Sequence, residues 1–236
     1  MSNAPAPTLL LVHGAHSGTW VWDHVVPLLK SPHRAIDLPG HGARTEPLGS
    51  VTLSACAAAV VQAAADLPQL VLVAHSMGVP IALKAADSLQ GRLAHIVLIA
   101  GPVPTPGTCI VDNFPLIPRW VSKVVLKFQS ELFSQPDGIG RSLLQGCPED
   151  KIAFALPRFK LESTKIVTEP VAWSGKPPAP ATYVKCLRDK GALHAHHQDA
   201  MAARLGVAPT AFDTCHYPML ERPADVAALL DRVAGR

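Results

Sequence analysis

Aromatic and charged side chains are scarce in this chain: Phe, Trp and Tyr make up 5% of its 236 residues and Asp, Glu, Lys and Arg 17%. There is no block of like charge and no interleaving of basic with aromatic residues. The formal charge of +3 therefore gives no footprint for a nucleic acid. No apolar run is long enough to span a bilayer, since the first, residues 9–12, stops at His13. The opening Met-Ser-Asn-Ala-Pro-Ala-Pro carries no basic segment ahead of that run, so no signal peptide is expected and a cytoplasmic location is. Cys56, Cys109, Cys147, Cys186 and Cys215 are odd in number and contain no C-x-x-C pair. That pattern argues against a disulfide framework or a zinc site, and buried free thiols are expected. No internal repeat is visible.

At 48% hydrophobic, the chain suffices for one substantial core and is short for two. Short apolar runs at 8–12, 34–36, 70–73, 95–100, 182–187 and 210–214 read as strands. Helical patterns lie between most of them, at 23–30, at 53–65 behind a Thr52 cap, at 79–88, and at 224–234 after Pro223. This alternation predicts an α/β fold with a mostly parallel sheet covered by helices on both faces. The alternation stops over residues 103–179, where helical pieces are broken by prolines and glycines. We read that stretch as a cap inserted into a single domain whose core is 1–102 and 180–236. It holds Phe114, Phe128, Phe133, Phe154 and Phe159, five of the six phenylalanines, with Trp120 and Trp173. Either these fix the cap to the core or some of them, Trp120 and Phe128 in particular, line an apolar pocket. Residues 174–180 read as the return linker.

The run Val71-Leu72-Val73-Ala74-His75-Ser76-Met77-Gly78 has the pattern of a nucleophile elbow: a strand, a serine with small residues two positions either side, then helical composition. A serine there sits at a helix N-terminus, which favours a developing negative charge. The alternative is a plain buried turn serine. Acyl transfer also needs a base, a group to orient it and donors for the oxyanion. His216 follows the last strand and precedes the last helix, so it can reach back over the sheet edge; otherwise it is a turn histidine. Asp189 follows the preceding strand within Arg188-Asp189-Lys190-Gly191, and its alternative is a solvated surface turn. Asp213, within the last predicted strand, and Asp199, on the following helix, are poorly placed to orient His216. The order Ser76, Asp189, His216 is nucleophile, acid, base. The first strand ends in His13-Gly14-Ala15-His16-Ser17-Gly18, where the Ala15 N–H pairs with the Met77 N–H as candidate oxyanion donors, and His16 and Ser17 are candidate pocket residues. Trp20 and Trp22 read as core anchors. His194, His196 and His197 are not on one helical face and read as surface histidines.

Leu11-Val12-His13-Gly14-Ala15 with Trp20 and Trp22, Asp37-Leu38-Pro39-Gly40-His41-Gly42, Ala74-His75-Ser76-Met77-Gly78 and Cys215-His216 with Pro218 together resemble the α/β-hydrolase superfamily. The likeness is to its small-esterase branch of plant methyl esterases, hydroxynitrile lyases and related bacterial esterases, and it covers residues 7–102 and 180–236. The resemblance implies the α/β-hydrolase fold, a triad of Ser76, Asp189 and His216, and Ala15 and Met77 as oxyanion donors. Ala74 stands where the family more commonly has glycine, and Ser17 where plant members often have histidine. Tyr217 and Gly14 stand where the hydroxynitrile lyases resemble one another in lysine and threonine, which disfavours cyanohydrin cleavage.

The resulting expectation is a serine hydrolase for carboxylic esters of small to medium hydrophobic substrates. It needs no metal or organic cofactor, and its partner is a small ester or related acyl compound rather than a nucleic acid or membrane. The alternatives are a lactonase, lyase or cyclase acting on a natural-product intermediate through the same triad, and a non-catalytic ligand receptor.

Overall fold

The computed structural model describes residues 6–113 and 136–236. Trp120 and Phe128, with Phe114 and Phe133, lie outside the described residues. Six strands, β1 (Thr8–Val12), β2 (His33–Ile36), β3 (Leu70–His75), β4 (Leu93–Ile99), β5 (Ala181–Cys186) and β6 (Thr210–Phe212), form one sheet in the order β2-β1-β3-β4-β5-β6. Every neighbouring pair is parallel. The register sets Val12 beside Ala74, and Ala74 beside Leu98, so β1, β3 and β4 end along one rim.

The described helices in chain order are α1 (Leu53–Ala63), α2 (Gly78–Leu89), α3 (Pro136–Leu143), α4 (Glu149–Ala155), α5 (Thr164–Thr168), α6 (Ala195–Arg204), α7 (Pro218–Glu221) and α8 (Pro223–Val233). Local chemistry sets several of their starts. Thr52 Oγ1 accepts the Ala55 N–H at 3.0 Å and caps α1. Pro223 opens α8 in the position where its missing N–H costs nothing.

Alternation along the strands divides the interior in two. Leu10, Leu72, Leu98 and Tyr183 face one way, onto Val60 of α1, Ile81 of α2 and Met201 of α6. Leu9, Leu11, Val71, Val73 and Val97 face the other, onto Trp22 and onto Val226 and Leu230 of α8. Full burial of one such side chain contributes about 1.5–3 kcal/mol. An exposed pair such as Arg34–Asp66, 38% and 68% exposed, contributes about 0–1 kcal/mol, so the two apolar layers hold the sheet.

The segment between β4 and β5 contains α3, α4 and α5. Its described aromatics take part in packing: Trp173 and Phe159 are buried in the two core layers, and Phe154 and Phe159 meet the edge of the half-buried Trp20. Trp22 is fully buried in the core, while Trp20 faces this segment. No helix among the described residues is long and apolar enough to cross a membrane.

Three expectations are corrected. Residues 23–30 are not an α-helix but 3₁₀ turns at Thr19–Trp22 and Val26–Leu28. Pro27 cannot sit inside a continuous helix, and the Lys30 and Ser31 N–H groups donate to Asp231 of α8 at 3.0 and 2.9 Å instead of continuing one. The last strand stops at Phe212, so Asp213 lies beyond it and pairs with Arg188 at 2.9 Å. Cys147 and Cys215 are not free thiols but form a disulfide across 68 residues, while Cys56, Cys109 and Cys186 are free and buried. Separation of that length leaves no local signature; only the folding of the inserted segment against the β6 loop brings the two sulfurs together.

Closing so long a loop is worth about 2–4 kcal/mol. Thiol titration of the denatured chain is expected to find three free thiols without reductant and five after reduction, and Cys147→Ser is expected to lower the unfolding free energy by that amount. Five free thiols without reductant would contradict the bond.

Candidate active site

β3 ends at His75 and α2 begins at Gly78, so only Ser76 and Met77 lie in the turn between them. The Ser76 backbone takes φ +51°, the left-handed region that a non-glycine residue enters only under constraint. The Ser76 N–H donates to Ile99 O at 2.8 Å and its carbonyl accepts the Val79 N–H at 2.9 Å, so the turn is fixed on both sides. Gly78 allows the close approach: a Cβ there would stand 2.6 Å from His13 O and 3.2 Å from Val12 O. The small residue after the serine thus makes room for the end of β1, not for β3. Gly14 is confined in the same way, since a Cβ on it would lie 2.8 Å from Ser76 Cβ. The loop after β1 is thereby pressed against the serine.

His216, on the loop between β6 and α7, reaches this point. Its Nε2 lies 2.9 Å from Ser76 Oγ and its Nδ1 lies 2.6 Å from Asp189 Oδ2. A carboxylate only accepts, so Nδ1 carries a proton and Nε2 presents its lone pair to the serine hydroxyl. His216 is fully buried and Asp189 3% exposed, whereas Ser76, Met77 and Ala15 are partly open to solvent.

Asp189, in the turn after β5, is held by donors on both oxygens. Oδ1 accepts from the Gly191 and Ala192 N–H groups at 3.1 Å each, and Oδ2 accepts from Gln198 Nε2 at 3.0 Å besides His216. Burial alone would raise this carboxyl, but His216 and the two N–H groups outweigh it and hold Asp189 below the ordinary carboxylate value. Gln198, on α6, is itself oriented by the Cys186 N–H, which donates to its Oε1 at 2.9 Å. Asp199 points elsewhere and pairs with Lys185.

His75, the last residue of β3, donates from Nε2 to the His216 carbonyl at 2.9 Å, joining the strand before the serine turn to the loop that carries the imidazole. Burial, reinforced by neighbouring His216, keeps His75 well below the ordinary histidine value and therefore neutral. His13 accepts the Leu38 N–H on Nε2 at 3.0 Å and donates from Nδ1 to Gly14 O at 2.8 Å. Burial and His41 push it down to about 4.

His16 and Ser17 are buried beneath the loop and are not open pocket walls. The Ser17 hydroxyl donates to Ala15 O at 3.0 Å and bonds the Tyr217 phenol. The His16 N–H donates to Glu162 Oε2 at 3.2 Å and is thereby taken up by the inserted segment. Glu162 also faces His41 Nε2 at 3.2 Å, with side-chain exposures of 2% and 1%. His194, His196 and His197 are exposed or half-exposed at the start of α6. No group of three or more His, Cys, Asp or Glu side chains among the described residues is arranged for a metal ion.

Sequence reasoning missed Gln198, Glu162 and the use of His41 and His75. Gln198 had a signal, being the polar residue on the face of α6 that also buries Met201 and Ala202. Glu162 had none, because it lies in the segment without periodicity.

A family model described as alpha/beta hydrolase matches residues 9–229. Norfluorocurarine synthase 1 of Strychnos nux-vomica is 25% identical over 253 residues, covering 96% of this chain and 95% of its own length. Polyneuridine aldehyde esterase of Rauvolfia serpentina is 26% identical over 175 residues, 68% of this chain and 65% of its own. Among solved structures, an extracellular alpha/beta-hydrolase from a Paenibacillus species, described as sharing structural and functional homology with tobacco salicylic acid binding protein 2, superposes with a TM-score of 0.82. It is 18% identical and the match covers 96% of this chain and 98% of that one, a likeness of fold.

Two outcomes follow from this geometry. Gly78→Ala forces a methyl onto the β1 carbonyls and is expected to cost about 1–3 kcal/mol in urea unfolding, and an unchanged midpoint would contradict the close approach. Burial opposes the charge on both His41 and Glu162, but each outweighs it for the other, raising His41 above 6.5 and lowering Glu162 below 4.5. The stability from their pairing is fully present between those two values. It is lost as pH rises through the raised His41 value or falls through the lowered Glu162 value. The Tm difference between wild type and His41→Gln is expected to peak in that window, and a difference independent of pH would refute the pairing.

Proposed function

The chain belongs to the alpha/beta hydrolase family, and from that premise we propose that it hydrolyses carboxylic esters of small to medium hydrophobic substrates through an acyl-enzyme. The observation that carries the reading is the unbroken series from Ser76 Oγ to His216 Nε2 and from His216 Nδ1 to Asp189 Oδ2.

In this reading His216 takes the hydroxyl proton as Ser76 Oγ attacks the ester carbonyl. Asp189 fixes the imidazole tautomer and stabilises its cation. The oxyanion forms beside the Ala15 and Met77 N–H groups, with the start of α2 directly behind it. His216 then returns its proton to the departing alkoxide. Water, deprotonated by His216, attacks the acyl-enzyme, and collapse of the second tetrahedral intermediate frees the acid and restores Ser76. Residues 103–179 act as the cap that shapes the acyl and alcohol sites. A relative named as an esterase supports this chemistry.

The relative named as a synthase, aligned over 96% of this chain, favours a second reading in which the same residues carry out a lactonase, lyase or cyclase reaction on a natural-product intermediate.

Ser76→Ala and His216→Ala are each expected to lower p-nitrophenyl ester turnover by at least about 10⁴-fold, with Asp189→Asn close behind. Undiminished turnover by Ser76→Ala would remove the proposal. Labelling of Ser76 by a fluorophosphonate with no turnover on an ester panel would instead support the second reading. Tight binding of a hydrophobic ligand without labelling would support a receptor.

A further inference from the structure

The loop that carries Ala15 is stitched to the inserted segment at residues 160–162. The Lys160 N–H donates to His16 O at 2.8 Å, His16 Nδ1 donates to Lys160 O at 2.8 Å, and the His16 N–H donates to Glu162 Oε2 at 3.2 Å. The last of these acts on the peptide unit that follows Ala15. At its other end, that unit's carbonyl accepts the Ser17 hydroxyl at 3.0 Å. Held at both ends, the peptide plane after Ala15 cannot swing freely, which narrows the backbone rotations open to Ala15 and so the directions its N–H can take. His16 sits at φ +59°, so the loop is in a conformation that needs such restraint.

We propose that Glu162 is a positioning residue for the oxyanion site: its carboxylate takes up the His16 N–H and thereby aims the Ala15 N–H, with His41 as the counter-charge that makes a buried anion acceptable there. This rests on the reading of Ala15 as an oxyanion donor.

The charge state follows from the contacts. His41 Nδ1 donates to Pro39 O at 3.0 Å, and Nε2, which makes no aligned hydrogen bond, stands 3.2 Å from Glu162 Oε2, so the second proton on the ring is favoured by charge pairing with that carboxylate. The remaining titratable groups around the pair do not compete with it. His13 is held neutral, His16 is lowered by burial, and the Cys56 thiol on α1 is pushed up by burial and then by Glu162 itself. Lys160 donates from Nζ to Gly42 O at 2.6 Å. Its charge opposes that of His41 less strongly than Glu162 favours it. A buried carboxylate beside a forming oxyanion would disfavour it electrostatically. The imidazolium of His41 cancels that field while leaving the acceptor in place. Loss of that imidazolium at high pH exposes the site to the bare negative charge.

The test compares Glu162→Gln, which still accepts the His16 N–H, with Glu162→Met, which fills the same volume and cannot. On a short p-nitrophenyl ester, Glu162→Met is expected to lose about 10–100-fold in kcat with KM within about threefold, as for partial loss of an oxyanion donor, whose full removal costs about 10²–10³. Glu162→Gln is expected to recover most of that loss. A loss carried by KM, or equal losses in Gln and Met, would overturn the proposal. Should the Met variant not fold, the Gln variant still decides the matter. The ratio of wild-type to Gln kcat, in which pH effects common to both enzymes cancel, is expected to fall as pH rises through the range where His41 loses its proton; a flat ratio would overturn the proposal. Failure of the esterase reading is separately visible, because Ser76→Ala would then leave turnover and fluorophosphonate labelling unchanged.

Discussion

Holding Ser76 at φ +51° costs of order 1–3 kcal/mol, and much of the surrounding structure is arranged so that the backbone has no cheaper choice. The hydrogen bond to Ile99 O fixes the incoming side, and the first turn of α2 fixes the outgoing side. The end of β1 blocks any relaxation toward Gly78. Two of these restraints come from strands buried between the two apolar layers, and the third from α2, which belongs to one of those layers. Burial of strands and helices that make no contact with a substrate is therefore what keeps one hydroxyl raised above the sheet.

Around that turn the interior carries charge, and charge sets a second requirement. Asp189 and Glu162 are both almost completely buried carboxylates, and each is tolerated because donors and a facing histidine outweigh the loss of water. The two differ in placement. Asp189 lies behind the imidazole that faces Ser76, while Glu162 lies behind the loop that packs on Ser76. Their partners differ accordingly: Asp189 faces His216 with Nε2 turned to a hydroxyl, and Glu162 faces His41 with its other nitrogen on a carbonyl. The inserted segment supplies the second carboxylate, and through Cys147 it is bonded to the residue before His216. It is thus tied to both sides of the site.

The sheet was legible in the sequence because short, continuous apolar runs set between helical stretches are local features. Runs such as 70–73 and 95–100 need only neighbouring residues to be recognised. Residues 23–30 misled because helical composition ignored Pro27 and the distant Asp231. The Cys147–Cys215 bond and the Glu162 contacts left no trace, since each joins residues from different elements and no chain-local pattern encodes such a meeting.

Sequence alone determined which residues carry reactive groups: a serine between Ala74 and Gly78, an aspartate after one strand and a histidine after the next. It also determined that a parallel sheet would place those strand ends on one rim, because the apolar pattern dictates burial on both faces. Tertiary structure decided how that acid is held, with Asp189 buried among the Gly191, Ala192 and Gln198 donors while Asp213 stays at the surface with Arg188. It decided also that the His16 N–H is taken by Glu162 and which cysteines join. Those outcomes depend on distances between segments far apart in the chain, set by how the two layers and the inserted segment pack.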